Sequence, residues 1–164
     1  MEIVLVSVLL IYYMMKNKKI TTNFKLGEFL VTSQPYPNVP TLEAINNLDI
    51  LVREVLQPLR NRVGRIKVTS GYRSSLVNSA IGGAKNSQHL YGEAADIVPL
   101  DTDIEIVFSI LVNELDYDQA ILEYGKGGSK WIHVSYRKGR LRKSTLIAKW
   151  DSSGGRMGYQ EYKA

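Results

Sequence analysis

The sequence predicts a single α+β domain in which a mainly antiparallel sheet packs against two longer helices. A chain of 164 residues with 45% apolar content has the size and composition of one compact domain with its own core. Apolar residues recur at three- and four-residue steps in 42–63 and again in 101–115, which is typical of helices with one buried face. Strand-forming residues in 116–124 and 130–136, on either side of a glycine-rich turn, predict a hairpin.

The first 20 residues are predicted to be a segment apart from the domain. Residues 3–15 are apolar except for Ser7, and lysines follow them. This run is shorter than the roughly 20 residues that span a bilayer as a helix, and its charges lie on the wrong side for a secretory signal. Three interpretations stay open: a membrane-associated anchor that leaves the domain on the cytoplasmic side, a cleaved signal that leads to the periplasm or cell envelope, and a packed or frayed N-terminus.

Start and stop signals bound the predicted elements of the domain, which we place at 21–150. Thr41 can cap the first long helix and Gly64 can end it, while Pro58 should kink its last turn by removing a backbone donor. A short strand at 66–69 precedes a short helix at 76–81. A last strand is predicted within 140–147, and the polar tail at 151–164 is expected to be loosely ordered.

Both histidines of the chain fall in a pattern typical of metal ligands. His89 and Asp96 lie seven residues apart, where a loop is predicted to turn into a buried strand. Alternation along the strand 131–136 would let His133 face a pocket while its neighbours pack. Two imidazole nitrogens and one carboxylate oxygen suit a single Zn²⁺ per chain, with a fourth position left for water. The alternative is that His89 is a loop residue and His133 a satisfied core histidine.

Composition limits the other kinds of site. The chain has no cysteine, so it can form neither disulfides nor a thiolate metal site. The net charge is +5, and the basic excess is concentrated in 137–143, which could attract a polyanion or guard a solvated strand edge. Neither zinc-finger spacing nor a glycine-rich phosphate loop accompanies this segment, so nucleic acid is not a predicted partner.

Three motifs together resemble a known family. They are SGYRS at 70–74, SQHLYGEAAD at 87–96 and WIHVSY at 131–136, and the likeness extends from about residue 24 to 147. The chain is similar to the zinc peptidases that include D-alanyl-D-alanine carboxypeptidases and phage L-alanyl-D-glutamate endolysins, whose metal-site fold is shared with the hedgehog signalling domain. The resemblance implies a zinc peptidase, expected to be a monomer, that cleaves stem peptides of bacterial peptidoglycan at one of those two bonds. The alternative from another class is a catalytically inactive zinc-containing module that binds cell wall or a protein partner.

A zinc hydrolase also needs a general base, which is usually a carboxylate. Some members of the wider family have an acidic residue three positions before the last histidine ligand, but this chain has Lys130 there. Glu123 is the better candidate, since pairing of 123 with 131, or any register of the same parity, points it to the face of His133. The endolysin-like branch has a glutamate in the same context, and Asp118 is the fallback base. In this mechanism zinc polarises the scissile carbonyl and lowers the pKa of water, while Glu123 takes the proton and returns it to the leaving amine.

Two further residues are predicted to position substrate. Arg73 lies at a strand-to-helix junction, where its planar charged fork could hold a carboxylate or a developing oxyanion. The alternative for Arg73 is a surface ion pair. Ser87 lies two residues before His89, and the resemblance implies that a serine there helps to hold the terminal carboxylate of the substrate.

Overall fold

The computed structural model describes residues 13–150 and 156–162. Besides a helical stretch at 13–17, the helices in these residues are α1 (Leu42–Leu51), α2 (Gln57–Val63), α3 (Ser75–Ala80) and α4 (Ile104–Glu114). The strands are β1 (Ile66–Ser70), β2 (Ala94–Pro99), β3 (Gln119–Tyr124), β4 (Lys130–Ser135), β5 (Ser144–Trp150) and β6 (Arg156–Glu161).

All the strands belong to one sheet, in the order β1-β2-β4-β3-β5-β6. Neighbouring strands are antiparallel except β3 and β5, which are parallel. The parallel pair arises because β4 returns along one side of β3 and the chain then crosses the end of β3 to reach its other side. The predicted α+β class with a mainly antiparallel sheet is confirmed.

The long helix predicted at 42–63 is continuous, but it changes hydrogen bonding midway. Thr41 caps it by accepting a hydrogen bond from the backbone N–H of Ala44 at 3.1 Å. Between α1 and α2, residues Val52–Leu56 form π-helical turns, in which the N–H of Gln57 donates to the carbonyl of Val52. The disturbance was expected in the last turn, whereas the structure places it immediately before Pro58, which lacks the N–H needed to continue the ladder.

The core lies between one face of the sheet and the helices. Ile132 and Val134 of β4 are fully buried, as are Leu48 of α1 and Phe108 of α4. Because side chains alternate along a strand, this packing directs the intervening His133 to the opposite face. The predicted alternation along 131–136 is confirmed, and it leaves that face of the sheet available for a site.

The C-terminal region differs from the expectation in two ways. Residues Arg156–Glu161 pair with β5 as an antiparallel edge strand, so the prediction of a loosely ordered tail is wrong for them. The last predicted strand begins at Ser144 rather than 140, because the preceding residues form a turn in which the N–H of Arg140 donates to the carbonyl of Arg137. The basic segment at 137–143 therefore lies in the β4–β5 connection and not along a strand edge.

The apolar N-terminal segment lies mostly outside the described residues. From Lys18 onward the chain is part of the domain, since the Lys18 carbonyl accepts a hydrogen bond from the N–H of Leu26 and Ile20 is buried. Within 13–150 and 156–162, no helix combines the length and the apolar character that crossing a bilayer requires.

Replacing Leu56 with alanine should destabilise the domain by about 3 kcal/mol, because truncation of a large core side chain leaves a cavity. Leu56 is fully buried in the π-helical turns, whereas Leu42 at the start of α1 is 80% exposed. Urea denaturation followed by circular dichroism measures the change in the free energy of unfolding. Leu42→Ala is the matched control, with an expected change within about 0.5 kcal/mol. Equal effects of the two substitutions would contradict this description of the core.

Candidate metal centre

Two neighbouring strands and one short turn bring the predicted metal ligands together. Asp96 of β2 lies directly opposite His133 of β4 in the antiparallel register, so their side chains share one face of the sheet. His89 lies in a 3₁₀ turn over Gln88–Tyr91, immediately before β2. The loop-then-strand geometry expected around His89 and Asp96 is present.

The candidate ligand atoms form a nearly equilateral triangle. Nε2 of His89 is 3.2 Å from Nδ1 of His133 and 3.2 Å from Oδ1 of Asp96. Nδ1 of His133 is 2.9 Å from the same Oδ1. Zinc–ligand bonds of 2.0–2.1 Å at tetrahedral angles place two ligand atoms about 3.3 Å apart. The triangle therefore has the size and donor set for one tetrahedral zinc ion, and three protein ligands are the usual number in a catalytic site.

The backbone of Gly71 orients the ring of His89. The carbonyl of Gly71 can only accept, so Nδ1 of His89 donates to it at 2.6 Å and the lone pair of Nε2 faces the other two ligands. A Cβ at position 71 would lie 2.6 Å from the backbone of Phe29, which leaves room only for glycine. This contact gives a physical reason for the glycine in the SGYRS motif.

A second glycine shapes the turn between the ligands. Gly92 has a φ of 70°, in the left-handed region that favours glycine, and it ends the 3₁₀ turn that carries His89. A side chain there would also collide with the carbonyl oxygen of Ala44 in α1. The turn is thus packed directly against the long helix, and this contact fixes where His89 lies.

Arg73 contacts the ligand carboxylate rather than forming a surface ion pair. Its Nη2 donates to Oδ2 of Asp96 at 2.5 Å, and its Nε donates to the hydroxyl of Ser70 at 2.8 Å. The side chain of Arg73 is only 15% exposed. One oxygen of Asp96 is therefore held by Arg73, and the other faces the two histidines.

Burial and charge set the protonation states of the ligands. Burial by itself would raise the pKa of Asp96, but the interactions of its carboxylate with His89 and His133 outweigh burial and hold that pKa well below the usual range. Burial lowers the pKa of His89, and this outweighs the opposing effect of Asp96. An ionised carboxylate and a neutral imidazole are the forms that bind a metal ion, so neither group has to lose a proton first at neutral pH.

Strands β3 and β4 pair in the register that was predicted to place Glu123 on the face of His133. Glu123 of β3 lies opposite Trp131, and Ile121 lies opposite His133. Glu123 is therefore on the face of the sheet that carries His133, two residue pairs further along the hairpin. It is 6% exposed, and its carboxylate belongs to the wall of the same cleft as the three ligands.

Asp118 is occupied by an ion pair. Its carboxylate accepts hydrogen bonds from Nε and Nη2 of Arg142 at 2.8 and 2.6 Å, from the backbone N–H of Arg142, and from the side chain of Gln88. Burial alone would raise the pKa of Asp118, but the hydrogen bonds and charge of Arg142 bring it below its ordinary value. A carboxyl group that binds protons this weakly is poorly suited to act as a base.

The candidate residues share one cleft of about 1310 Å³. Ser87, at the start of the 3₁₀ turn, lines it together with Arg73, Glu123 and the three ligands. Trp150 and Tyr159 also line it, and the sequence analysis missed both of them. Alternation within Arg156–Glu161 was the available signal for a strand that brings Tyr159 to the cleft.

Gln88 is a further residue of the site that the sequence did not single out. Its side-chain N–H groups donate to Glu93 at 3.2 Å and to Asp118 at 3.0 Å, so it links the ligand turn to the start of β3. Its position beside His89 in the SQHLYGEAAD motif was a signal, but its partner Asp118 is 30 residues away in the sequence.

Two comparisons with known proteins agree with this geometry. Residues 23–135, more than half of the chain, match the model of the family described as peptidase M15. Over 44 residues the chain is 50% identical to the zinc D-Ala-D-Ala carboxypeptidase of Streptomyces albus G. That stretch is 26% of this chain and 17% of the relative, so the match spans less than a fifth of the relative's length.

Proposed function

This chain belongs to the peptidase M15 family, and on that premise we propose that it is a zinc-dependent peptidase that cleaves stem peptides of bacterial peptidoglycan. The observation that carries the proposal is the triangle of His89, Asp96 and His133 beside the buried Glu123, all in one open cleft. The same donor set and the zinc carboxypeptidase relative support Zn²⁺ as the metal.

Each ligand has a defined role in holding the ion. Nε2 of His89 and Nδ1 of His133 supply nitrogen donors, and Oδ1 of Asp96 supplies an oxygen donor. When bound there, zinc supplies a Lewis acid that polarises the scissile carbonyl and lowers the pKa of water. Gly71 and Arg73 keep His89 and Asp96 aimed at the same point, so little reorganisation accompanies metal binding.

Glu123 is our candidate for the general base. Its place on the ligand face of the hairpin lets it take a proton from the attacking water and return it to the leaving amine. Asp118, which precedes the start of β3, is held as an anion by Arg142 and is the weaker base. The buried acid beside the ligands also favours an active enzyme over an inactive binding module.

Arg73 and Ser87 are our candidates for positioning substrate. Arg73 uses Nε and Nη2 to hold Ser70 and Asp96, which leaves Nη1 for a substrate carboxylate or for negative charge that develops on the carbonyl oxygen. Ser87 lines the cleft two residues before His89, where its hydroxyl can donate to the same group. Because the substrate is cell wall, we also propose that the enzyme acts in the cell envelope.

The size of the cleft favours an endopeptidase acting at the L-Ala to D-Glu bond. Pockets for single small molecules usually occupy about 300–1,000 Å³, and this cleft of about 1310 Å³ is larger and open to solvent. An extended peptide needs such space on both sides of the scissile bond, whereas a carboxypeptidase has to close around a chain end. The similarity to the carboxypeptidase of Streptomyces albus G keeps removal of terminal D-alanine as the alternative.

Mass spectrometry of the products distinguishes these activities. Purified peptidoglycan and a soluble stem pentapeptide are incubated with the zinc-loaded protein, and a chelator-treated sample serves as the control. Fragments cut after L-alanine are expected, and they should be absent from the control. Free D-alanine would instead identify a carboxypeptidase. Binding to wall without any cleavage would contradict the proposal and indicate an inactive binding module.

A further inference from the structure

The turn between β4 and β5 lies along the cleft that holds the metal centre. Because β5 pairs with the far side of β3, this connection has to cross the end of β3 where Asp118 lies. It brings three arginines to the wall of the cleft, Arg137, Arg140 and Arg142. The basic segment thus faces the proposed substrate and not only solvent.

Ion pairs anchor this turn on both sides of Arg140. Arg142 binds Asp118, whose side chain is 1% exposed, through two side-chain hydrogen bonds. Arg137 lies 3.4 Å from Oε1 of Glu93, in the segment between His89 and Asp96. A pair with one buried partner resists solvent screening better than an exposed pair, so the Arg142 anchor gives the turn a defined position.

Arg140 differs from the other cleft arginines in its charge balance. Arg73 is paired with Asp96, Arg137 with Glu93 and Arg142 with Asp118. Among residues 13–150 and 156–162, no carboxylate lies within ion-pair distance of Arg140, although it lines the same cleft. A permanent positive charge is therefore held at the cleft without a carboxylate among residues 13–150 and 156–162 to balance it.

We propose that Arg140 is a specificity-determining residue that binds a carboxylate of the substrate peptide. The inference rests on the proposed function and deepens it by assigning the chemistry of one substrate contact. A guanidinium binds a carboxylate through two parallel hydrogen bonds, and anchoring of the turn reduces the entropy lost when that contact forms. A stem peptide with lysine as its third residue, the form used for the test, offers this group from two sources, the α-carboxylate of its D-glutamyl residue and the carboxylate of its terminal D-alanine.

The test compares three peptides with three forms of the full-length, zinc-loaded protein. The peptides are a stem pentapeptide, the same peptide amidated at the D-glutamyl α-carboxylate, and the same peptide amidated at its C-terminus. The proteins are the wild type, Arg140→Gln and Lys138→Gln. Lys138 is the matched control because it carries the same charge in the same turn but does not line the cleft. Hydrolysis gives kcat and KM, and calorimetry gives Kd without requiring turnover.

For the wild type, KM and Kd of the fully ionised peptide are expected to be lower than those of one of the amidated forms by roughly fivefold or more. This is the size of effect expected from a charge pair at a partly exposed site. Which amide loses affinity identifies the source of the carboxylate. Arg140→Gln should abolish this preference with kcat changed less than about twofold, and Lys138→Gln should retain it. Arg140→Lys should restore part of it.

Two results would overturn the inference. One is an unchanged preference in Arg140→Gln, and the other is an equal loss in Lys138→Gln, which would indicate a bulk charge effect. Failure of the wild type to hydrolyse any of the peptides would refute the proposed function, while the Kd comparison would still decide whether Arg140 binds a carboxylate.

Discussion

Replacing Glu123 with glutamine is expected to lower kcat by about 10²- to 10⁴-fold while zinc remains bound, because general bases typically contribute that factor. Glutamine keeps the size and polarity of the side chain but cannot accept the proton from water. The carboxylate lies on the ligand face of the hairpin without belonging to the triangle of His89, Asp96 and His133. Hydrolysis of a stem peptide measures kcat, and elemental analysis measures zinc per chain.

Glu54→Gln is the matched control for this substitution. Glu54 is an exposed glutamate on the π-helical turns that does not line the cleft, so kcat should not change. Near-normal turnover by Glu123→Gln would mean that Asp118 is the general base or that the enzyme uses another mechanism. Loss of zinc from Glu123→Gln would show instead that the carboxylate acts as a ligand.

Replacing His133 with alanine is expected to remove both the bound zinc and all measurable hydrolysis. The substitution deletes one of three donors, and the two that remain belong to the β2 side of the site. Asp96 also loses the hydrogen-bond partner that lies 2.9 Å from its Oδ1. Zinc content should fall from about one ion per chain to near zero, since three protein ligands are the usual minimum of a catalytic site.

Metal removal from the wild type separates loss of the ion from loss of the fold. Chelator-treated wild type should be as inactive as His133→Ala, and added zinc should restore only the wild type. Asp101→Asn, which changes an exposed acid paired with Arg65, should keep its zinc and its activity. Stoichiometric zinc in His133→Ala would mean that the ion is bound by a different set of residues.

The composition of the metal centre could be predicted from sequence because it depends on local patterns. Alternation along β4 determines that His133 and Trp131 share a face, whatever strand lies beside them. The turn that ends at Gly92 and the strand that follows it place His89 and Asp96 within reach of one point. The strand that pairs with Glu123 is close to it in sequence. Only two parities of the β3–β4 register were therefore possible, and each places Glu123 on one face of the sheet.

The surroundings of the site depend on contacts between distant segments, and the sequence gives little sign of them. Arg73 was expected to meet substrate, but the structure pairs it first with Asp96. The glycine of SGYRS was part of the resemblance. The structure shows that a side chain at this position would collide with the backbone of Phe29, a contact that no periodicity of the sequence predicts. The strand formed by Arg156–Glu161 was missed because a short polar edge strand is specified mainly by its partner.

By itself the sequence determined the class of the domain and the face on which Glu123 lies, because these follow from periodicity and spacing within single elements and one hairpin. The three candidate ligands were indicated by the chain's two histidines and by the family resemblance, and the pairing of β2 with β4 brings them together. Only the tertiary structure decided that β5 pairs in parallel with β3. That crossover brings the basic turn to the wall of the cleft, pairs Arg142 with Asp118 and leaves Arg140 at the same wall without a carboxylate partner in the described residues. The order of strands in a sheet is set by packing between segments far apart in the chain. Side-chain alternation along a strand is the same whichever strands lie beside it, so alternation does not predict that order.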